Sequence, residues 1–165
     1  MRRFDKVKPD ANLPTRATKY SAGYDFYTSE DIVVKSSNIG SFDYSYIDTQ
    51  SLKDGELLLK KLHIQPTLIP TGIAFKGEPN DVLLMHSRSG IAIKNLLMLP
   101  NAVGIIDSDY YPREIMVPVI NLAPFDIVVP KGTRIAQGII STYLTVDDEP
   151  KMTAERTGGF GSTGK

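Results

Sequence analysis

Apolar side chains occur along this chain in short runs that turn-forming residues interrupt. Runs of this length, rich in β-branched and aromatic residues and bounded by Gly and Pro, are typical of β-strands. The pattern predicts strands at residues 25–28, 32–35, 41–46, 56–62, 67–75, 81–86, 97–99, 103–106, 114–121, 125–129 and 134–143.

A helical pattern is confined to one brief segment, around Ser89–Asn95. Many short strands without helices between them favour an all-β sandwich or barrel over a parallel α/β sheet. Pro130-Lys131-Gly132 has the composition of a tight turn between two late strands.

Two segments differ from the strand pattern. Residues 36–56 are polar, rich in Ser and dotted with Tyr, which indicates a surface excursion. Residues 158–165 contain four glycines and one apolar side chain, so they cannot build a core, and we expect them to be mobile in the free protein. The chain is therefore divided into a β-domain, residues 1–157, and a C-terminal arm, residues 158–165.

Composition narrows the class of protein. A chain of 165 residues with 41% hydrophobic residues is long enough for one globular domain. Nineteen basic residues balance nineteen acidic ones, which disfavours nucleic-acid binding through phosphate neutralisation but allows a small phosphorylated ligand. The chain contains no Cys and no apolar run near the ~20 residues that span a bilayer. We therefore expect a cytoplasmic protein without a membrane partner.

Taken singly, the candidate functional motifs leave two interpretations open. Asp107 ends an apolar run, where a carboxylate would be rigidly aimed as a general base, yet Asp107-Ser108-Asp109 is also ordinary turn chemistry. Arg88-Ser89-Gly90 suits a phosphate or a solvated turn. The arm suits phosphate contacts and base stacking by Phe160, or plain disorder.

The order of the motifs is more specific than any one of them. Ala22-Gly23-Tyr24-Asp25, Arg88-Ser89-Gly90 and residues 104–110, 134–137 and 158–164 resemble, in sequence order, the five motifs of the trimeric dUTPase family. The resemblance runs from about Pro14 to the end of the chain. It implies a jelly-roll-like fold, a homotrimer with shared active sites, and Mg²⁺-dependent hydrolysis of dUTP to dUMP and pyrophosphate. Such an activity limits uracil incorporation into DNA and supplies dUMP for dTMP synthesis.

The same resemblance implies roles for individual residues. Asp107 is similar to the aspartate that deprotonates the water attacking the α-phosphorus. Tyr110 resembles the tyrosine that packs against deoxyribose and leaves no room for a 2′-hydroxyl. The uracil would be bound by Asn101 and by backbone groups near Ile105, Ile106 and Met116.

The implied phosphate contacts come from two parts of the chain. Arg88, Ser89, Gly90 and Gln137 match phosphate-binding positions, and Asp25 resembles a supporting aspartate with a structural or water-shell role. Five further residues match the closing arm over the γ-phosphate and the base: Arg156, Phe160, Gly161, Ser162 and Thr163. Mg²⁺ would be held by the substrate phosphates and by water, without direct protein ligands.

The sequence departs from the family pattern at three places. Tyr111-Pro112-Arg113 separates Tyr110 from Glu114, which is one residue more than usual, and the fifth motif is one residue shorter after Arg156. The stretch between the first two motifs is longer by on the order of fifteen residues, the size of a surface excursion. Phage-type relatives carry such insertions, so residues 36–56 are a candidate surface for a regulatory protein partner.

Two alternative functions remain. A dCTP deaminase-like enzyme of the same superfamily would carry a glutamate and a double serine where Asp107 and Arg88-Ser89-Gly90 stand here. A non-catalytic regulatory protein on the same scaffold would be expected to have lost Asp107 or Tyr110, and both are present.

Overall fold

The computed structural model describes residues 1–37 and 65–150, together with Thr153, Ala154, Arg156, Gly158 and Gly159. Within them one α-helix, α1 (Ser89–Asn95), begins and ends where the sequence predicts, and a short 3-10 turn covers Ser108–Tyr110. Twelve strands make up the rest of the regular structure: β1 (Arg3–Lys6), β2 (Thr15–Arg16), β3 (Tyr24–Tyr27), β4 (Ile32–Val34), β5 (Thr67–Pro70), β6 (Ile73–Lys76), β7 (Asp81–Ser87), β8 (Leu97–Met98), β9 (Val103–Asp107), β10 (Met116–Asn121), β11 (Ile127–Val129) and β12 (Arg134–Thr142).

These strands form open antiparallel sheets. The largest has the order β2-β3-β12-β7-β9, a second has the order β5-β10-β8, and β1-β6 and β11-β4 are two-stranded. The all-β, jelly-roll-like class with one short helix is confirmed for the described part of the chain.

The core is formed by buried apolar side chains that strands of all four sheets contribute. Along β10, Val117 and Val119 are buried and alternate with partly exposed neighbours, which is the period-two pattern of a half-buried strand. Phe26 and Phe75 are among the largest fully buried side chains. Phe4 of β1 packs against both rings, with centroid separations of 5.4 and 5.6 Å.

The single strand predicted for residues 67–75 is wrong, because the chain breaks between β5 and β6. Gly72 has a φ of +69°, in the left-handed region that favours glycine, and its N–H donates to Oε1 of Glu114 at 2.6 Å. The hydroxyl of Thr71 donates to the carbonyl of Ile115 at 2.7 Å. Glu114 is used in this contact, so β10 begins at Met116 and not at residue 114 as predicted.

Other predicted strands also differ from those in the structure. The strand predicted from residue 125 begins at Ile127, since the backbone carbonyl of Phe125 accepts Nδ2 of Asn121 at 2.8 Å and not a partner strand. Strands β1 and β2 were not predicted, because Phe4 is the only apolar residue in either of them. The predicted strands 41–46 and 56–62, and all of the excursion except Ser36 and Ser37, lie outside the described residues.

The turn that precedes β7 also supports the end of β9. Asp81, whose side chain is almost completely buried, accepts hydrogen bonds from Nε and Nη2 of Arg2 at 2.7 and 2.9 Å and from the backbone N–H of Glu78 at 2.8 Å. One residue from Glu78, the carbonyl of Pro79 accepts the hydroxyl of Ser108 at 3.1 Å. The Arg2–Asp81 pair therefore stabilises the turn against which the Asp107–Ser108 corner rests.

We predict that Asp81→Asn lowers the melting temperature at pH 7 by a few degrees, because the amide loses the charge that pairs with Arg2. The hydrogen bond from Arg2 lowers the pKa of Asp81 below its ordinary value. A lowered folded-state pKa stabilises the protein above the unfolded value of about 3.9 and ceases to do so as the pH falls through the folded value. The difference in melting temperature between wild type and variant should therefore narrow below about pH 4.

Asp5→Asn is the matched control. Asp5 also pairs with an arginine, Arg3, but that pair is solvent-exposed, and such pairs contribute little to stability. A loss in Asp5→Asn equal to that in Asp81→Asn would contradict the role of burial.

Candidate functional site

A pocket of about 300 Å³ opens along the free edge of the largest sheet. On the side away from β7, strand β9 has no neighbouring strand among the described residues. Backbone N–H and C=O groups on such an edge are available to a ligand. Gly104 lies opposite Met85 of β7, and a Cβ added at Gly104 would stand 3.2 Å from Cβ of Met85, so glycine keeps this part of the pocket open.

The pocket brings together seven of the residues that the sequence selected. They come from β9 and the segment before it, the turn after β9, the first residue of β10, and the C-terminal segment: Asn101, Ile105, Ile106, Asp107, Tyr110, Met116 and Arg156. Met116 lines the pocket despite the longer turn before it, because β10 starts there and pairs with β5. Gly159, which precedes the other predicted arm residues, also lines it.

Asp107 stands at the last position of β9 and is half-exposed. Nη2 of Arg156 forms an ion pair with its carboxylate, and Nε of Arg156 donates to Asp109 at 2.7 Å. The hydrogen bond to Asp109, together with the charges of both carboxylates, raises the pKa of Arg156 above its ordinary value. The pocket therefore holds a carboxylate that water can reach and a guanidinium that an anion can attract.

The ring of Tyr110 lies between two cations and a glycine. The Cζ atoms of Arg113 and Arg156 are each 6.0 Å from its centroid, within the range of cation–π attraction. A Cβ added at Gly159 would stand 3.0 Å from Cε2 of the ring, so a larger residue there would push the ring aside, and glycine suits this close backbone approach. The Tyr110 hydroxyl donates to the carbonyl of Glu114 at 3.3 Å, which fixes the plane of the ring in the pocket wall.

A second cluster forms around Asp25, which is 7% exposed. Its two oxygens accept Nε of Arg88 at 2.8 Å and Nη1 of Arg134 at 3.2 Å. Gln137 is paired with Asp25 across β12 and β3. Because both carboxylate oxygens are engaged, the geometry favours a structural role for Asp25 over a water-shell role.

Ser89 and Gly90 begin α1 directly after Arg88. A Cβ added at Gly90 would meet no atom within 4 Å, so nothing in the described chain requires glycine there. The open space around Gly90 lets a group from outside the described chain reach its backbone closely.

The sheet register separates the two clusters. Asp107 is paired with Val82 of β7, whereas Gln137 is paired with His86, four positions further along the same strand. That offset corresponds to about 14 Å along the strands and, across two strand spacings, about 10 Å sideways. The structure therefore does not bring Arg88, Ser89, Gly90, Gln137 and Asp25 into the pocket of their own chain.

Four predicted site residues, Phe160, Gly161, Ser162 and Thr163, lie outside the described residues. Sequence reasoning missed the contact of Asp109 with Arg156, that of Arg113 with the Tyr110 ring, and that of Arg134 with Asp25. Arg134 and Asp109 belong to recognised motifs, but only the fold shows where their side chains point. The signal for Arg113 was the extra residue in the turn after Tyr110.

The described residues also bear on metal and membrane binding. No group of three or more His, Asp or Glu residues is arranged there to hold a metal ion. In the same part of the chain, no helix has the length and apolar character needed to cross a membrane.

Comparison with known proteins identifies the family. The sequence model of the dUTPase family matches residues 53–164. Deoxyuridine 5'-triphosphate nucleotidohydrolases from Lactococcus lactis subsp. lactis (strain IL1403) and Rickettsia bellii (strain OSU 85-389) are 35% and 36% identical over 159 and 156 residues. These alignments cover 93% and 92% of this chain and 88% and 87% of the relatives.

A solved structure agrees with the sequence comparison. The crystal structure of a dUTPase from Streptococcus mutans matches with a TM-score of 0.67 at 25% identity, over 87% of this chain and 98% of that chain. The chain belongs to the dUTPase family.

We predict that Asp25→Asn lowers the free energy of unfolding by about 1–3 kcal/mol, because the neutral amide cannot satisfy two guanidinium groups at a buried position. Equilibrium unfolding in urea measures this loss. Asp31→Asn is a suitable control, since Asp31 accepts a backbone N–H from Lys131 at an exposed site and contacts neither arginine. Equal stability of the two variants would exclude Asp25 as the group that orients Arg88 and Arg134.

Proposed function

We propose that this protein is a dUTP diphosphatase, which hydrolyses dUTP to dUMP and pyrophosphate. The observation that carries the proposal is the pocket in which Asp107, Tyr110 and Arg156 meet at the edge of β9. Membership of the dUTPase family supports the choice of substrate.

The chemical step uses Asp107 as the general base. Its carboxylate accepts a proton from a water molecule, and the water oxygen forms a bond to the α-phosphorus. The bond between the α-phosphorus and the oxygen that bridges it to the β-phosphorus breaks. Pyrophosphate leaves with the electron pair of that bond. Positioning of the water and stabilisation of the phosphate charge supply most of the catalysis in such a reaction.

The sugar and the base occupy the apolar part of the pocket. The deoxyribose rests against the ring of Tyr110, which leaves no room for a 2′-hydroxyl. The uracil edge pairs with Asn101 and with backbone groups at Ile105, Ile106 and Met116, and the free edge of β9 supports this assignment. Backbone groups suit this task because their direction is fixed by the sheet.

Magnesium fits this site as a companion of the substrate. Mg²⁺ prefers oxygen ligands, and it commonly binds through substrate phosphates and water instead of an all-protein cage. The donors near the pocket are the carboxylates of Asp107 and Asp109, both engaged by Arg156, so we assign the metal to the phosphates and their waters. When bound, the ion neutralises charge on the leaving pyrophosphate.

The active form is proposed to be a homotrimer with shared sites. In one chain, the cluster of Arg88, Ser89, Gly90 and Gln137 stands apart from the pocket that holds Asp107. Between them on the same sheet face lies the cross-strand row Ile139–Leu84–Ile105, and the side chain of Ile105 is 64% exposed. A neighbouring copy that covers this row would bring its own phosphate-binding cluster to the pocket.

The C-terminal arm completes the proposal. We assign Arg156, Ser162 and Thr163 to the γ-phosphate and Phe160 to stacking on the base, with Gly161 allowing close backbone approach. These contacts require a triphosphate, so dUMP would be released more readily than dUTP.

We predict that Asp107→Asn keeps nucleotide binding but loses hydrolysis by several orders of magnitude, since the amide keeps the shape of the carboxylate and cannot accept the proton. Release of pyrophosphate from dUTP with Mg²⁺ measures the rate, and calorimetry with a non-hydrolysable α,β-imido analogue of dUTP measures binding. Asp147→Asn, at an exposed position well after β12, is the control.

Two outcomes would contradict this assignment. Activity of Asp107→Asn within tenfold of wild type would show that another group is the base. Ammonia release from dCTP by the wild-type protein, without pyrophosphate release from dUTP, would identify a deaminase instead.

We further predict that Asp107→Asn and Arg88→Ala chains complement each other when co-expressed. If a site takes Asp107 from one chain and Arg88 from another, about a quarter of the sites in a statistically mixed trimer contain both native residues. Pyrophosphate release should therefore recover to about a quarter of the wild-type value, while each variant alone stays weak. Mixed trimers with no more activity than the separate variants would place both residues in one chain's site.

A further inference from the structure

The turn after Tyr110 carries a guanidinium group that none of the site roles above uses. Arg113 is half-buried, and its Cζ lies 6.0 Å from the centroid of the Tyr110 ring. Its Nη2 donates to the backbone carbonyl of Arg156 at 3.3 Å. Arg113 therefore contacts both the ring at the pocket wall and the backbone of the residue whose side chain reaches Asp107.

The main chain around Arg113 is anchored on both sides. The backbone N–H of Arg113 donates to the carbonyl of Tyr110 at 3.0 Å, which closes the turn. Next to it, Oε1 of Glu114 accepts the N–H of Gly72, which lies between β5 and β6. On the preceding side, Nζ of Lys76 lies 5.5 Å from the centroid of the Tyr111 ring. A side chain that projects from such a fixed turn loses less freedom when it forms a contact.

We propose that Arg113 is a positioning residue for the dUTPase reaction: it holds the backbone at Arg156 against the pocket and keeps the Tyr110 ring in place. Arg156 has two carboxylate partners in the pocket, and in the proposed function its guanidinium must rotate away from them to bind a phosphate. The hydrogen bond from Arg113 goes to the backbone carbonyl of Arg156 and not to its side chain, so it persists while the guanidinium rotates. The extra residue in Tyr111-Pro112-Arg113 gives this chain a fixed point for its C-terminal segment.

The predicted change in KM rests on the proposed function, whereas the predicted change in the backbone at Arg156 does not. Loss of Arg113 should free the backbone at Arg156 in the absence of any nucleotide. Trypsin cleaves after arginine, so the rate of cutting between Arg156 and Thr157 reports this release. With substrate, the same loss should raise KM for dUTP, while kcat changes little because Asp107 is untouched.

The experiment compares Arg113→Ala and Arg113→Lys with Lys19→Ala. Lys19 is a matched control, since its removal also deletes one positive charge beside a tyrosine ring, at a surface site away from the pocket. We expect trypsin to cut the Arg156–Thr157 bond of Arg113→Ala about fivefold faster than that of wild type. A factor of about five corresponds to the loss of one hydrogen bond of this kind. Mass spectrometry measures the rate of cleavage. KM for dUTP should rise by a similar factor, with kcat within about twofold. The cleavage rate and KM of Arg113→Lys should lie between those of wild type and Arg113→Ala, because lysine keeps the charge but not the planar donor group.

Each result has a defined meaning. Cleavage rates and KM values equal to those of Lys19→Ala would overturn the proposal. If Arg113→Ala melts markedly earlier than wild type, Arg113→Lys decides, and unchanged cleavage and KM in that variant would likewise overturn it. A wild-type protein that hydrolyses no dUTP would remove the proposed function, while the cleavage assay would still test the contact between Arg113 and Arg156.

Discussion

The pairing of β7 with β12 on one side and with β9 on the other is the constraint on which the site depends. Residues that are paired directly across antiparallel strands share a face, so this register places Gln137 and Asp107 on one surface. It also keeps them four positions apart, a separation that no side-chain rotamer can close. A shift of one residue in the pairing of β9 with β7 would turn the side chain of Asp107 towards the core and leave the pocket without its carboxylate.

Charge pairing orients the cations of the site. Arg88 and Arg134 share Asp25, while Arg156 is held by Asp107 and Asp109. Each guanidinium is thus oriented by a carboxylate of the same chain. A chain with equal numbers of acidic and basic residues can therefore present guanidinium groups to a polyanion. Local arrangement replaces overall charge as the source of attraction.

The sequence predicted those parts of the molecule that depend on local pattern. The helix Ser89–Asn95 and the all-β class followed from periodicity and turn residues, and the placement of Asp107 at a strand end followed from the apolar run before it. The break at Gly72 could not be predicted, because it depends on Glu114, which is distant in sequence. The separation of Gln137 from Asp107 depends on which strands are neighbours, and this information is not local either. The roles of individual site residues remain predictions that the proposed variants test.

The ion pairs of Arg156 also bear on which nucleotides the proposed site would retain. If Arg156 binds a phosphate as proposed, that phosphate must replace two carboxylate contacts, so the free energy gained at Arg156 is the difference between the phosphate and the carboxylate interactions. In the proposed site the γ-phosphate makes this replacement, so dUMP, which lacks that phosphate, would leave Arg156 with its carboxylates, whereas a triphosphate would also contact other cations of the site. Under this proposal, the ion pairs of Arg156 would contribute to discrimination between dUTP and dUMP. In a shared site, the cluster at Asp25 would add to this selectivity, because its arginines are held in place by the same kind of bond.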